Sequence, residues 1–207
     1  MRCLVLGANG RTGRLFIDRA IDHGMSVTAI VRSTDRLSDI SHDALTIESA
    51  DATNAEELIP LMSEHDAIIS TLGPRSPSKS ASSIYSKSGL AISEAMQTSG
   101  VTRVIVTSSA LLFPNKGIVD KALSLVVRPM IIEARRMEAR IVSADLDWTI
   151  VRFGFLTNES DDRYCLSKGS SAGEGRSIPR AAVAKFLIDE LITPAHKKTI
   201  IGLGKPQ

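Results

Sequence analysis

Cys3-Leu4-Val5-Leu6-Gly7-Ala8-Asn9-Gly10-Arg11-Thr12-Gly13 is the stretch on which the fold turns. A short apolar run breaks into three glycines spaced G-x-x-G-x-x-G, and a helical pattern follows at once. A buried strand that ends in such a turn lets backbone approach a pyrophosphate closely. The helix behind it aims its unpaired N–H groups and positive dipole end at the phosphates. Glycine triads also mark ordinary turns, but this one follows a strand and opens a helix within the first βαβ unit. A plain strand-to-helix turn has no obvious need of three glycines at that period. Gly7, Asn9, Gly10, Arg11, Thr12 and Gly13 are therefore candidate cofactor contacts.

The rest of the chain bounds this reading. Its 207 residues suit a single domain over 1–207, long enough for a substantial core, with pocket-building segments at about 111–128 and 154–178. A content of 43% hydrophobic and 23% charged residues, with a formal net charge of +2, gives no bulk field toward nucleic acid or a membrane. The expected partner is a small molecule, with the protein a monomer or small homo-oligomer. Cys3 and Cys165 are too far apart in sequence for a disulfide framework or a metal site, and the histidines at 23, 42, 65 and 196 are scattered. No metal is expected. The chain starts directly on a core strand, which leaves no room for a signal peptide, and its apolar stretches are too short to span a membrane. A cytoplasmic protein is expected.

Apolar runs alternate with helical patterns. Short buried strands are predicted at Val27–Val31, Leu45–Ile47, Ala67–Ile69, Val104–Val106 and Trp148–Val151, and helices at Arg11–His23, Ala55–Ser63, Ser83–Thr98, Met130–Ser143 and Arg180–Ile192. This rhythm predicts an α/β fold: a doubly wound, mostly parallel sheet with helices on both faces and binding groups at the carboxyl ends of the strands. The polar, proline-punctuated run Gly73–Ser83 follows a strand end, where functional loops sit. Arg163–Gly175 reads as a strand, a turn and a return strand, either a hairpin lid over the pocket or a surface loop without a catalytic part.

The end of the second strand separates the two nicotinamide cofactors, since an acidic residue there bonds ribose hydroxyls while arginine accommodates a 2′-phosphate. Here the strand ends Ile30-Val31-Arg32-Ser33, with Arg36 four residues on. Together with Arg11, three guanidiniums converge on one phosphate in this reading, which favours NADP over NAD. The alternative is a solvated basic surface balanced by Asp35 and Asp39, with Asp35 itself bonding a ribose.

Gly7–Gly13, Val31-Arg32 with Arg36, Asp51-Ala52, Thr71-Leu72-Gly73 with Arg75, Thr107-Ser108-Ser109-Ala110 and Leu146–Arg152 together resemble the extended and atypical short-chain dehydrogenase/reductases. The chain is most similar to the compact, Rossmann-type branch that contains biliverdin-IXβ/flavin reductase. The resemblance spans nearly the whole chain and implies that Asp51 meets the adenine amino group, that Leu72 and Gly73 pass along the cofactor ribose, and that Ser109 faces the nicotinamide. It places Arg75 and Ser108 at the cofactor as well. Asp51 capping the next helix and Gly73 serving its turn are the purely structural alternatives.

The larger family carries Y-x-x-x-K on the helix after the serine strand. Those positions fall here at about Met130 and Ala134, neither of which transfers a proton. Tyr164-Cys-Leu-Ser-Lys168 has the spacing but lies in loop-like sequence, and a four-residue offset shares a face only in a helix. Without the dyad, oxidation of an alcohol lacks its general acid/base. Reduction of a conjugated or aromatic acceptor such as a flavin, quinone or linear tetrapyrrole is easier, because the charge spreads over a π-system and water supplies the proton. Leu111, Leu112, Phe113, Phe153 and Phe155 are candidate apolar walls for such an acceptor, or ordinary core. Glu138 stands where the biliverdin-type enzyme has histidine. It is a proton donor if buried, but Arg135 and Arg136 nearby favour a solvated salt-bridging residue. The expected function is an NADPH-dependent reductase with Ser109 orienting nicotinamide or substrate. A dinucleotide-sensing regulator of the NmrA type and an extended-family epimerase are the competing readings.

Overall fold

Runs rich in Val and Ile present no polar face to water, so they settle between two helix layers. The computed structural model describes residues 1–114, 118–173 and 177–206, without the side chains of 118–120. The runs form an eight-stranded sheet in the order β3 (Leu45–Ser49), β2 (Ser26–Val31), β1 (Arg2–Leu6), β4 (Ala67–Ser70), β5 (Arg103–Ser109), β6 (Asp147–Phe153), β10 (Thr199–Gly204) and β8 (Cys165–Lys168). Neighbours are parallel except β8, which runs antiparallel to β10. This is the doubly wound, Rossmann-type order. The chain leaves β1 first toward β2 and β3, then returns to build β4, β5 and β6 on its other side. Its reversal opens a crevice at the carboxyl ends of β1 and β4.

Side chains along β1 alternate between two cores: Cys3 and Val5 pack under helices α1 (Arg11–Asp22) and α6 (Arg180–Ile192), Leu4 and Leu6 under α2 (Ala55–Met62), α3 (Lys79–Ser99) and α5 (Arg128–Ser143). The helices α3 and α5 lie close because Gly89 has no side chain. A Cβ there would come within 2.8 Å of Met137 Cγ and 2.9 Å of Met137 Cα.

All five predicted strands and all five predicted helices are present, several of them longer than the sequence pattern suggests. Helix α3 begins four residues early, at Lys79, because Ser78 caps it by accepting from Ala81 N at 3.3 Å. The pattern did not reveal β10, β7 (Phe155–Thr157, paired with β9, Ser177–Pro179) or α4 (Ile118–Val126). The hairpin expected over Arg163–Gly175 is corrected: β8 pairs with β10, not with a return strand. Side chains at Gly202 and Gly204 would collide with the Ser170 and Ala172 carbonyls, so glycine lets the segment after β8 lie against β10 instead. Residues 174 and 175 of that expected hairpin lie outside the described residues. Among the described residues, no helix is long and apolar enough to cross a membrane.

The α3–α5 contact gives a test of the packing. Alanine at an unobstructed helix glycine stabilises by about 1 kcal/mol. At Gly89 the obstruction includes backbone, so Gly89→Ala is expected to lower stability by about 1–3 kcal/mol. Urea unfolding measures it, and an unchanged or higher midpoint would refute the close packing.

Candidate active site

At the end of β1, Gly7 turns the backbone into the left-handed region at φ 83°. A side chain there would sit 2.8 Å from Thr71 Oγ1 and 2.9 Å from the Thr71 carbonyl carbon, so the turn presses directly on the end of β4. Gly10 N donates to Gly7 O at 2.8 Å, and a Cβ at Gly13 would collide with that same carbonyl. Helix α1 then starts at Arg11 with no side-chain cap and no acidic residue in its first turn. Its first N–H groups are left for an anion. Beside them opens a cleft of about 530 Å³ bordered by Gly10, Arg32, Arg36, Asp51, Gly73 and Lys87.

Arg14, which the motif reading passed over, holds this cleft together. Its Nε and Nη2 donate to Asn9 Oδ1 at 3.2 and 2.9 Å, its Nη2 to Arg36 O at 2.5 Å, and its Nη1 to Asp39 Oδ2 at 2.6 Å. The glycine turn is thereby tied to the loop after β2. The hydrogen bond from Arg14 holds the Asp39 carboxyl below its ordinary range. Asp39 is thus engaged elsewhere, and Arg32 and Arg36 form no ion pair among the described residues. Asp35 accepts from Ser33 Oγ at 3.4 Å and does not border the cleft.

One expectation about this half of the site is corrected, and one structural alternative is removed. Arg11 does not join Arg32 and Arg36. As the first residue of α1 it turns the other way, with Nη1 3.5 Å from Asn158 Oδ1, an atom also held by Arg180 Nη1 at 2.7 Å. Nor does Asp51 cap α2, since Asn54 does, accepting from Glu56 N at 3.1 Å. Asp51 stays on the cleft, its carboxyl kept low by hydrogen bonds from Thr53 N at 2.9 Å and Thr53 Oγ1 at 2.8 Å, and further by the charges of Arg32 and Lys87.

A second cleft, of about 800 Å³, continues from Thr71, Leu72 and Gly73 to the carboxyl ends of β5 and β6, with Thr12 on its border. Exposed Arg75 borders both clefts. Sheet register sets Ser108 beside Arg152 and Ser109 beside Phe153. Behind them α5 supplies Glu138, which is 5% exposed. Its Oε1 accepts from Ser108 Oγ at 2.6 Å and Arg152 Nε at 2.9 Å, and its Oε2 from Arg152 Nη2 at 2.5 Å. The solvated role expected for Glu138 is therefore wrong. Arg135 is exposed and Arg136 pairs with Glu133 instead, at 2.6 Å.

This network fixes the chemistry of the two serines. Ser108 has given its proton to a carboxylate and presents lone pairs only. Ser109 Oγ accepts from Leu111 N at 3.3 Å, which leaves its proton for a ligand. Among the expected walls, Leu111, Phe153 and Phe155 border the cleft. Leu112 and Phe113 do not, because the short turn after β5 tucks both into the interior. The Arg152 guanidinium lies 4.8 Å above the Phe113 ring, so that ring braces the ion pair rather than a substrate. Met130 borders the cleft and Ala134 is fully buried. Tyr164 Oη donates to Asp189 Oδ2 at 2.6 Å against α6, and neither Tyr164 nor Lys168 borders either cleft. The sequence signal for Arg152 was present: a charge ending the apolar run Trp148–Val151, at the carboxyl end of a central strand.

A family profile described as NAD(P)H-binding matches residues 7–194. The UPF0659 protein YMR090W of Saccharomyces cerevisiae is 26% identical over 97% of this chain and 92% of its own length. Two solved structures share the fold. The oxidoreductase ylbE from Lactococcus lactis superposes with a TM-score of 0.84 at 19% identity, over 100% of this chain and 92% of that one. A short-chain dehydrogenase/reductase from Veillonella parvula, in complex with NADP, superposes with a TM-score of 0.80 at 19% identity, over 99% and 94%.

The three turn glycines are expected to respond differently to substitution. Gly10 is exposed, its φ of −70° and ψ of 154° suit any residue, and the nearest atom to an added Cβ is Gly7 O at 3.0 Å. Gly10→Val should melt within a few degrees of the wild type yet lose dinucleotide binding in calorimetry, because its side chain fills the approach to α1. Undiminished binding would place the nucleotide elsewhere.

Proposed function

This chain belongs to the NAD(P)H-binding family, and we propose that it is an NADPH-dependent reductase acting on a conjugated or aromatic acceptor of the flavin, quinone or tetrapyrrole kind. The observation that carries this reading is the composition of the larger cleft. Apolar Leu111, Phe153 and Phe155 stand around Ser109, while Met130 and Ala134, at about the positions where the resemblance puts the larger family's tyrosine and lysine, have no proton to transfer.

The backbone of Gly7–Gly13 and the open end of α1 bind the pyrophosphate. Arg32 and Arg36, which form no ion pair among the described residues, flank a 2′-phosphate, and Asp51 accepts from the adenine amino group. Bound NADPH supplies a hydride. Ser109 donates its free proton in a hydrogen bond that orients nicotinamide or acceptor, and the locked Ser108–Glu138–Arg152 network keeps β5, β6 and α5 in fixed register around it. The aromatic walls support a planar acceptor and exclude water from one face of it. Addition of hydride sends an electron pair into the acceptor's π-system, and a proton from water completes the reduction.

Two measurements test this. NADPH should bind more tightly than NADH, and Arg32→Ala should weaken NADPH by roughly 10- to 150-fold, about 1.5–3 kcal/mol, with little change for NADH. Equal affinities for the two cofactors in the wild type would remove the phosphate assignment. With NADPH and a flavin or quinone, Ser109→Ala should lower turnover on the order of tenfold. Intact NADPH binding without consumption against flavins, quinones and enals would select a dinucleotide-sensing regulator instead.

A further inference from the structure

Tyr85 lies on α3 one helical turn before Gly89, on the face that the close α3–α5 contact turns inward. Its ring belongs to the core that also contains Ile92, Met96 and Met137, and the residue as a whole is 7% exposed. The hydroxyl end opens on the larger cleft, 3.6 Å from where a Cβ on Gly73 would stand. It makes no hydrogen bond among the described residues. Buried tyrosine hydroxyls ordinarily find a partner. One left open, at the floor of a cleft that already contains Ser109 and Arg152, has its donor aimed at whatever fills that cleft.

Two of its neighbours are already engaged with Glu138. Ser108 has committed its proton to Glu138, and Arg152 has committed Nε and Nη2 to the same carboxylate. Burial, and then the charge of Glu138, push the Tyr85 phenol up to about 12. It therefore stays protonated across the physiological range and keeps a proton to donate. Tyr85 borders the larger cleft and not the nucleotide cleft beside Gly10, so its partner is the acceptor rather than the adenosine half of the cofactor.

Resting on the reductase reading above, we propose that Tyr85 Oη donates the hydrogen bond that stabilises negative charge on the acceptor as hydride arrives. Hydride adds to an electron-poor atom of the acceptor, and the displaced π-electron pair moves to a conjugated oxygen or nitrogen. That atom accepts from Tyr85 Oη. The phenol keeps its proton, and the one that completes reduction comes from water. Acceptors that gather charge on a carbonyl oxygen, quinones and enones, gain most from such a donor.

Tyr85→Phe removes only the hydroxyl, and because that hydroxyl has no partner among the described residues, the variant should melt at or above the wild-type temperature. NADPH affinity should stay within about twofold. Turnover of a quinone should fall roughly 10- to 100-fold, and the complex with NADP should bind 4-nitrophenolate, a conjugated oxyanion, at least about tenfold more weakly. Unchanged turnover and unchanged nitrophenolate binding would overturn the proposal. So would a loss of NADPH affinity that accounts for the whole fall in rate, since Tyr85 would then serve the cofactor. If the wild type reduces none of the acceptors, yet the variant still weakens nitrophenolate, the reductase reading fails while the oxyanion donor stands.

Discussion

The close contact of three backbone segments at the end of β1 is the constraint on which everything else rests. Gly7 meets Thr71, and Gly13 meets the carbonyl of Gly7, at separations that admit no Cβ. These contacts, with the Thr71 hydroxyl donating to the Leu6 and Gly7 carbonyls, join β1, β4 and α1, and the first turn of α1 is left uncapped. Parallel strands on either side of β1 then separate the two loops that follow β2 and β4, and the crevice between them lies at the switch point where such sheets bind dinucleotides. Arg14 closes the arrangement by binding the turn through Asn9 and the loop after β2 through Arg36 O and Asp39. A cation spent in this way also takes up Asp39, one of the acids that would otherwise balance this basic loop.

Two buried ion pairs show how position along the strands divides structure from function. Arg103 begins β5 at its amino end and pairs with Glu190 at 2.9 Å, while also donating to Asp147 O and Thr149 Oγ1. His196 Nδ1 lies 2.7 Å from the other oxygen of Glu190. Burial lowers the Arg103 pKa despite that carboxylate, the expected direction for a guanidinium enclosed between strands and helix α6. Nothing about that pair faces a cleft. The Glu138–Arg152 pair is at the carboxyl ends, where open sheets bind ligands, and Arg152 borders the larger cleft. Its burial is similar, but its setting makes it part of the site's electrostatics.

Much of this was legible in the sequence, for identifiable reasons. Buried parallel strands require β-branched runs, so β2, β4, β5 and β6 announce themselves, and Arg32 and Arg36 follow from where β2 ends. Strand β10 did not, because Gly202 and Gly204 interrupt its apolar run to admit the segment after β8. Glu138 was misread because helix neighbours at short spacing describe a surface. Its partner is Arg152, brought in by β6, and no local pattern reports that. Leu112 and Phe113 were misplaced because a strand end is not yet a cleft wall: the turn after Ser109 decides which side chains face inward.

The absent tyrosine–lysine pair is best understood through the packing of α5. A lysine at position 134 would have to place its ammonium where Ala134 is fully buried, among Ile131, Met137 and Ile141 and under the α3–α5 contact that Gly89 makes possible. An isolated cation is costly there, and Glu138, one helical turn on, is already paired with Arg152. In this fold α5 is a packing element with two buried acids, of which Glu133 pairs with Arg136 and Glu138 with Arg152 of β6. In the proposed reaction, charge that develops in the cleft is met from the sheet and from α3, by groups that donate hydrogen bonds rather than relay protons. Such donors stabilise delocalised charge better than a localised alkoxide, which is the physical reason for proposing a conjugated acceptor rather than an alcohol.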